Sequence, residues 1–191
     1  TKDAPRWALA YKFAPPRAET RLLGITVQVG RTGVLTPVAN LAPVELAGST
    51  ITRATLHNRD EILRRDIRVG DVVVLEKAGD VIPAIVDVNR ARRTVGSQAY
   101  VFPKACPSCG TDVVQRRDEV AVRCPNFDCP SQVRRRIEHF ASREGVDIDG
   151  LGPATIDVLV SRASIKDASD LYRLRREDLM ASGPGVVRSP D

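Results

Sequence analysis

Four cysteines constrain this chain more than any other feature. They fall as Cys106-x-x-Cys109 and Cys124-x-x-x-x-Cys129, with fourteen residues between the pairs and no other cysteine among 191 residues. Thiolates paired at such short spacings each clamp one edge of a tetrahedral zinc ion, and the intervening chain loops round to bring the two edges together. Cys106-Pro107-Ser108-Cys109-Gly110 has the composition of a tight knuckle, with Gly110 free to take a positive φ. Val113-Val114 and Val120-Ala121-Val122 suit a small hairpin between the pairs. Two disulfides or four unrelated thiols are the competing readings. No basic–apolar–small leader opens the sequence, so nothing directs it to an oxidising compartment, and a cytoplasmic protein with reduced cysteines is expected. Four protein ligands leave no position for water. The expected zinc is therefore structural, held by Cys106, Cys109, Cys124 and Cys129, and it supplies folding energy to a segment too small for a core of its own.

Composition narrows the rest. Lys plus Arg is 29 against 24 Asp plus Glu, a net charge of +5, which favours a polyanionic partner such as nucleic acid. Aromatics are only 4%, so no single large aromatic core is available. No apolar run reaches the roughly 18 residues of a membrane-spanning helix. The sequence opens at Thr1 with a segment too short to be a domain, and so reads as a piece of something longer.

The chain divides into four zones: residues 1–13, 14–97, 98–130 and 131–191. In the first, Trp7, Leu9, Tyr11 and Phe13 alternate as in a strand, with Lys12 on the opposite face from Tyr11 and Phe13. The second is rich in β-branched runs. Leu22–Val29, Gly33–Val44, Ser49–Leu56, Asp71–Lys77 and Val81–Val88 are predicted strands, separated by glycine turns such as Gly30-Arg31-Thr32-Gly33 and Gly79-Asp80. One short helix, Arg59–Arg65, interrupts them. Five short strands with one helix suit a small closed barrel, the oligonucleotide-binding (OB) fold foremost. The cysteine zone follows. From Ser131 the chain turns helical, with Ser131 a candidate N-cap and Val133, Ile137 and Phe140 on one face. Gly150-Leu151-Gly152 is a turn, and Pro153 is placed to begin a new helix with Ile156, Leu159 and Val160 on its apolar face. Leu171, Leu174 and Leu179 suggest a further helical segment, and the glycine- and proline-punctuated end from Ser182 is expected to fray. The fold class is multi-domain: a small all-β OB barrel, a four-cysteine zinc finger and a partial all-α region.

Several blocks together resemble one family, the bacterial NAD-dependent DNA ligases. Trp7-Ala8-Leu9-Ala10-Tyr11-Lys12-Phe13 is similar to the last nucleotidyltransferase motif of that family. Val29-Gly30-Arg31-Thr32-Gly33, Ala54-Thr55-Leu56-His57-Asn58 and Lys77-Ala78-Gly79-Asp80-Val81-Ile82-Pro83 resemble its OB domain. The four cysteines match its zinc finger, and Asp147-Ile148-Asp149-Gly150-Leu151-Gly152 resembles the entry to its helix-hairpin-helix domain. The resemblance runs from residue 1 to about 180 in the family's order. It implies an enzyme that seals nicks in duplex DNA during replication and repair: a lysine takes AMP from NAD, the AMP passes to the 5′-phosphate, and the 3′-hydroxyl displaces it, with Mg required. That lysine lies in a Lys-x-Asp-Gly motif, which is found nowhere in this sequence. The chain is accordingly expected to supply DNA binding as a monomer and not to perform the full reaction alone. A stand-alone, non-catalytic OB and zinc-ribbon module is the alternative.

The resemblance assigns Lys12 to the AMP phosphate, where an ammonium offsets developing charge. It places Arg31 and Thr32, in their glycine-flanked turn, at the DNA minor groove; a solvated hairpin tip is the competing reading. Lys77 faces the same DNA surface or is a surface strand end. His57 and Asn58 contact DNA, or Asn58 caps the Arg59–Arg65 helix, the favoured role. Arg116, Arg117, Arg123, Arg134, Arg135 and Arg136 line a duplex or form a solvated helix face. Gly150 and Gly152 can present backbone N–H groups to a phosphate, weakened by the N–H that Pro153 lacks. The hairpin domain is expected to be truncated, since Ser182-Gly183-Pro184-Gly185-Val186-Val187 resembles only the start of a further hairpin.

Overall fold

The structure, a computed structural model, describes residues 7, 14–78, 82–162, 165–175 and 177–178. Lys12, the Gly79-Asp80-Val81 turn and the tail from Leu179 lie outside the described residues.

Five strands close into a barrel: β1 (Arg17–Val29), β2 (Leu35–Leu46), β3 (Ser49–Thr55), β4 (Val72–Ala78) and β5 (Ile82–Val88), in the order β1-β2-β3-β5-β4. β4 closes the ring on β1, antiparallel, with Arg17 opposite Glu76 and Arg21 opposite Val72. β3 meets β5 in parallel at Thr55 and Ala84. Period-2 alternation fills the interior with Leu22, Leu41, Leu46, Ile51, Val73 and Ile85, all buried.

β1 begins five residues before the predicted Leu22. Arg17, Glu19 and Arg21 face solvent while Thr20 turns inward and donates to the carbonyl of Ala42 at 2.7 Å. The strand is held there by its pairing with β4, and by ion pairs Arg17–Glu76 (2.9 Å) and Arg92–Glu19 (3.1 Å), none of which is a hydrophobic signal.

Asp71 locks the first unit from within. Its side chain is 0% exposed and accepts from Arg93 Nε (2.9 Å), Arg93 Nη2 (2.8 Å) and the Arg68 backbone N–H (2.9 Å). Its own carbonyl accepts from the Leu22 N–H at 2.9 Å, tying the approach to β4 to β1. Such a charge is tolerable in the interior because both carboxylate oxygens are met.

α1 (Arg59–Arg65) forms as its sequence predicts. Asn58 is the N-cap, its Oδ1 accepting from the Glu61 N–H at 2.8 Å. Asp60 and Glu61 stand in the first turn and Arg64 and Arg65 in the last, complementing the helix dipole. Hydrogen bonds from Arg64 and then Arg65 hold the Glu61 carboxyl down at about 2.

Beyond the barrel, β6 (Val114–Gln115) and β7 (Val122–Arg123) make the expected small hairpin. α2 (Pro130–Ala141) starts one residue before the predicted cap. Cys129 is the N-cap and Pro130, with its fixed φ, takes the first turn, while the Ser131 N–H donates to Ser108 Oγ at 3.3 Å. Val133, Ile137 and Ala141 are buried; Phe140 is half-buried and packs edge-on to Tyr172. α3 (Pro153–Arg162) begins at the predicted proline, and Ile156, Leu159 and Ile165 join Val133 and Ile137 in one core. Leu171 falls in a 3₁₀ turn, Ala168–Arg173, closed by an Asp167 capping box.

The described residues fall into two compact units that cut across chain order. One comprises residues up to 25, 39–55 and 67–99; the other comprises 26–38, 56–66 and 100 onward. Asp71→Ala leaves Arg93 without its carboxylate, and we expect a loss of about 3–5 kcal/mol of unfolding free energy, read from urea denaturation of the wild-type and variant chains.

Candidate zinc centre and nucleic-acid face

The second unit gathers the four cysteines. Their sulfurs all lie within 4.8 Å of one another, with Cys109–Cys124 at 3.5 Å and Cys106–Cys129 at 3.8 Å. Zinc bound to thiolates at about 2.3 Å in a tetrahedron places its ligands about 3.8 Å apart, so the donor set fits the ion. Cys106, Cys124 and Cys129 are buried and Cys109 is half-buried.

Local backbone geometry holds each ligand. The Gly110 N–H donates to the Cys106 carbonyl at 2.9 Å, with Gly110 at φ 72°, and the Cys106 N–H donates to the Thr111 carbonyl at 2.8 Å. Asn126 Oδ1 accepts from the Asp128 N–H (2.9 Å) and its carbonyl accepts from the Cys129 N–H (3.2 Å), which turns the chain into α2.

The thiols alone are ill-matched. The Thr111 hydroxyl, 3.3 Å from Cys109 Sγ, holds that thiol down at about 6, while burial pushes the Cys106 thiol up and the Cys124 thiol up to about 12. A dication reverses that penalty and keeps all four as thiolates. With four sulfurs and no open position, the zinc of this centre is structural.

The β1–β2 hairpin tip is built into the same unit. Gly30 N–H donates to Val34 O and Gly33 N–H to Gly30 O, each at 2.9 Å, which closes the turn carrying Arg31 and Thr32. The Cys124 N–H donates to the Gly33 carbonyl at 2.9 Å. Gly33 sits at φ 79°, and a side chain there would run into the Cys124 carbonyl and come to 3.0 Å from Gln132 Nε2. Gln132, buried on α2, donates through that nitrogen to the carbonyls of Cys124 (3.0 Å) and Asn126 (2.8 Å). Arg123 Nη1 reaches Thr32 Oγ1 at 3.4 Å, and Val29 and Leu35 share a core with Cys106, Cys124 and Cys129.

The predicted DNA-facing residues are thus in varied circumstances. Arg31 is exposed at the tip and makes no ion pair or hydrogen bond among the described residues. Thr32 shares its hydroxyl with Arg123. Arg134 pairs with Asp157 (3.0 Å) and Arg135 with Glu138 (2.8 Å). Arg116 pairs with Glu119 (3.6 Å), as does Arg123 (3.0 Å). Gly150, at φ 75°, has its N–H taken by Asp149 Oδ1 at 2.9 Å, and Gly152 is exposed. Lys77 belongs to the first unit, opposite Pro83 in the β4–β5 pairing. His57 is exposed in a left-handed conformation, φ 60°. Gln132 and Phe127 escape a reading of the sequence: a lone glutamine among helical residues carries no periodic signal, and an aromatic between two cysteines looks like loop.

A closed five-stranded barrel followed by a four-cysteine finger defines the architecture, and the sequence places it within one family. Residues 19–97 match the NAD-dependent DNA ligase OB-fold domain and residues 105–130 the NAD-dependent DNA ligase C4 zinc finger domain. "DNA ligase 1" of Opitutus terrae is 63% identical over all 191 residues, which cover 28% of that protein. The DNA ligases of Pelotomaculum thermopropionicum and Aquifex aeolicus are 54% and 52% identical, each over 94% of this chain, covering 26% and 25% of their own lengths. The chain belongs to the NAD-dependent DNA ligase family and spans about a quarter of the length of these relatives.

Metal analysis of reduced, purified protein should return about one zinc per chain. Gly33→Ala should destabilise the finger by more than about 1 kcal/mol and speed zinc loss to a chelator, because the position needs both a positive φ and an empty Cβ site. Gly30→Ala, whose added carbon would lie in ordinary contact 3.6 Å from Val34 O, should change neither zinc retention nor thermal melting.

Proposed function

We propose that this chain is the DNA-holding segment of an enzyme that uses NAD to seal nicks in duplex DNA. The observation that carries the reading is the hairpin tip: Arg31 is held out to solvent by a turn whose far side is gripped by a zinc knuckle. A cation fixed in this way meets a phosphate with little further ordering cost, which suits sequence-independent binding of a backbone.

In this reading residues 1–13 close an adenylation domain, 14–97 are the OB domain, 98–130 the finger and 131–191 the start of a helix-hairpin-helix domain. Arg31 and Thr32 meet the DNA backbone, Arg134, Arg135, Gly150 and Gly152 add contacts along it, and Lys77 contributes a contact of its own from the first unit. Arg134 and Arg135 exchange their carboxylate partners for phosphate, and Gly152 contributes more than Gly150, whose N–H is already used. Lys12 lies beside the AMP phosphate when the adenylated lysine, NAD and Mg are supplied by the complete enzyme. The protein works as a cytoplasmic monomer on nicked duplex. The Trp7–Phe13 block favours this reading over a stand-alone binding module, which has no use for a nucleotidyltransferase motif.

Fluorescence anisotropy of a nicked duplex at a series of salt concentrations tests it. Binding should weaken steeply with salt, and Arg31→Ala should lower both the affinity and the slope of log K against log salt, the slope by about one. Salt-independent binding, or an Arg31→Ala variant that matches the wild type, counts against the reading. Incubated with labelled NAD, this chain should acquire no AMP, since it carries no Lys-x-Asp-Gly motif; a labelled band on a denaturing gel would reveal another nucleophile.

A further inference from the structure

Phe127 takes no part in the zinc site or the hairpin interlock. It stands between Cys124 and Cys129 with 68% of its surface exposed. Even so, its ring is fixed: the Arg136 guanidinium of α2 lies 3.9 Å from the ring centroid, and Arg136 Nη2 donates to the Phe127 carbonyl at 2.8 Å. A ring braced on one side by a cation presents its other side as a rigid apolar plate. The guanidinium is only partly satisfied by this, because Nη1 is buried and has no hydrogen-bond acceptor among the described residues, a costly state for a charged donor.

Phe127 and Arg136 line a cleft of about 410 Å³, together with Arg31 from the hairpin tip, Lys166, and an apolar floor of Ile137 and Phe140. Its acidic lining residue is Asp167, whose carboxylate accepts from the Ser169 N–H at 2.7 Å and is also held down, in smaller part, by the charge of Arg136, so that Arg31, Arg136 and Lys166 face a single carboxylate. The remaining balance is cationic, beside an exposed aromatic face. That combination suits a ligand with one anionic and one apolar side, repeated without regard to sequence.

We propose that this cleft seats one deoxyribose-phosphate unit of the duplex backbone, its sugar against the Phe127 ring and its phosphate drawn by Arg31 and Arg136. A sugar fits better than a base, because paired bases are stacked on one another while sugars and phosphates stay open along the strand. The inference rests on the DNA-holding reading and adds Phe127, Arg136 and Lys166 to it.

Anisotropy with the full zinc-loaded chain and a labelled nicked duplex separates the two. Phe127→Ala should bind about five- to tenfold more weakly, with the salt slope unchanged because the ring neutralises no phosphate, and with zinc content and melting temperature preserved. Phe127→Trp on a Trp7→Phe background should restore affinity, and its emission should change on adding duplex. Arg136→Ala should lower the slope by about one. If Phe127→Ala binds as tightly as the wild type while Arg31→Ala does not, the cleft assignment is overturned and the DNA-holding reading stands. If Phe127→Ala weakens binding to a single strand and leaves the duplex unaffected, the occupant is an unpaired base and the assignment is overturned. A wild-type chain with no salt-sensitive duplex binding overturns both.

Discussion

Cys124 faces two ways, and the second unit depends on both. Its sulfur is a zinc ligand in a cluster where burial first, and then the neighbouring Cys109 and Cys106 sulfurs, oppose the thiolate. Its backbone N–H and carbonyl meet Gly33 and Gln132. The metal therefore fixes the very peptide that the barrel hairpin closes against, and the absence of a side chain at Gly33 allows that closure. A segment with two-residue strands cannot stabilise itself by burial. Coordination supplies what the core lacks, and the hairpin and α2 share in the order that results.

The barrel unit is held differently. It relies on ordinary alternation of apolar residues and on one buried charge, Asp71, met on both oxygens by Arg93 and on one side by the Arg68 backbone. Such an arrangement adds little net energy over an apolar filling, but it tolerates no half-measures, since the fully buried Asp71 carboxylate without Arg93 is a stranded charge. One unit thus takes its order from metal–sulfur bonds and the other from packing around a neutralised carboxylate.

Much of this is legible in the sequence. The cysteine spacing announces the zinc centre, the β-branched runs and glycine turns announce five strands, and Asn58 before Asp60 and Glu61 announces α1, because each depends on local chemistry. The early start of β1 is not legible: Arg17 to Arg21 are strand only because β4 pairs with them. The start of α2 at Pro130 is hidden because Ser131 is the more familiar cap, although proline suits the first turn equally well. The partners of Arg134, Arg135 and Gly150 are also hidden, since Asp157, Glu138 and Asp149 become neighbours through helix and turn geometry. Gln132 and the Asp71–Arg93 pair are tertiary facts with no periodic signature.

The interleaving of the two units bears on how such a protein can change over time. Residues 26–38 and 56–66 group with the chain from 100 onward, although 26–29 and 35–38 continue strands β1 and β2 of the barrel. A recombination junction at the end of the barrel would transplant a finger without the loop it was shaped around, and would set a foreign Cys124 peptide against the resident glycine turn. Inheritance should therefore keep the tip of the first hairpin and the cysteine loops together, as parts of one heritable block whose pieces happen to be distant along the gene.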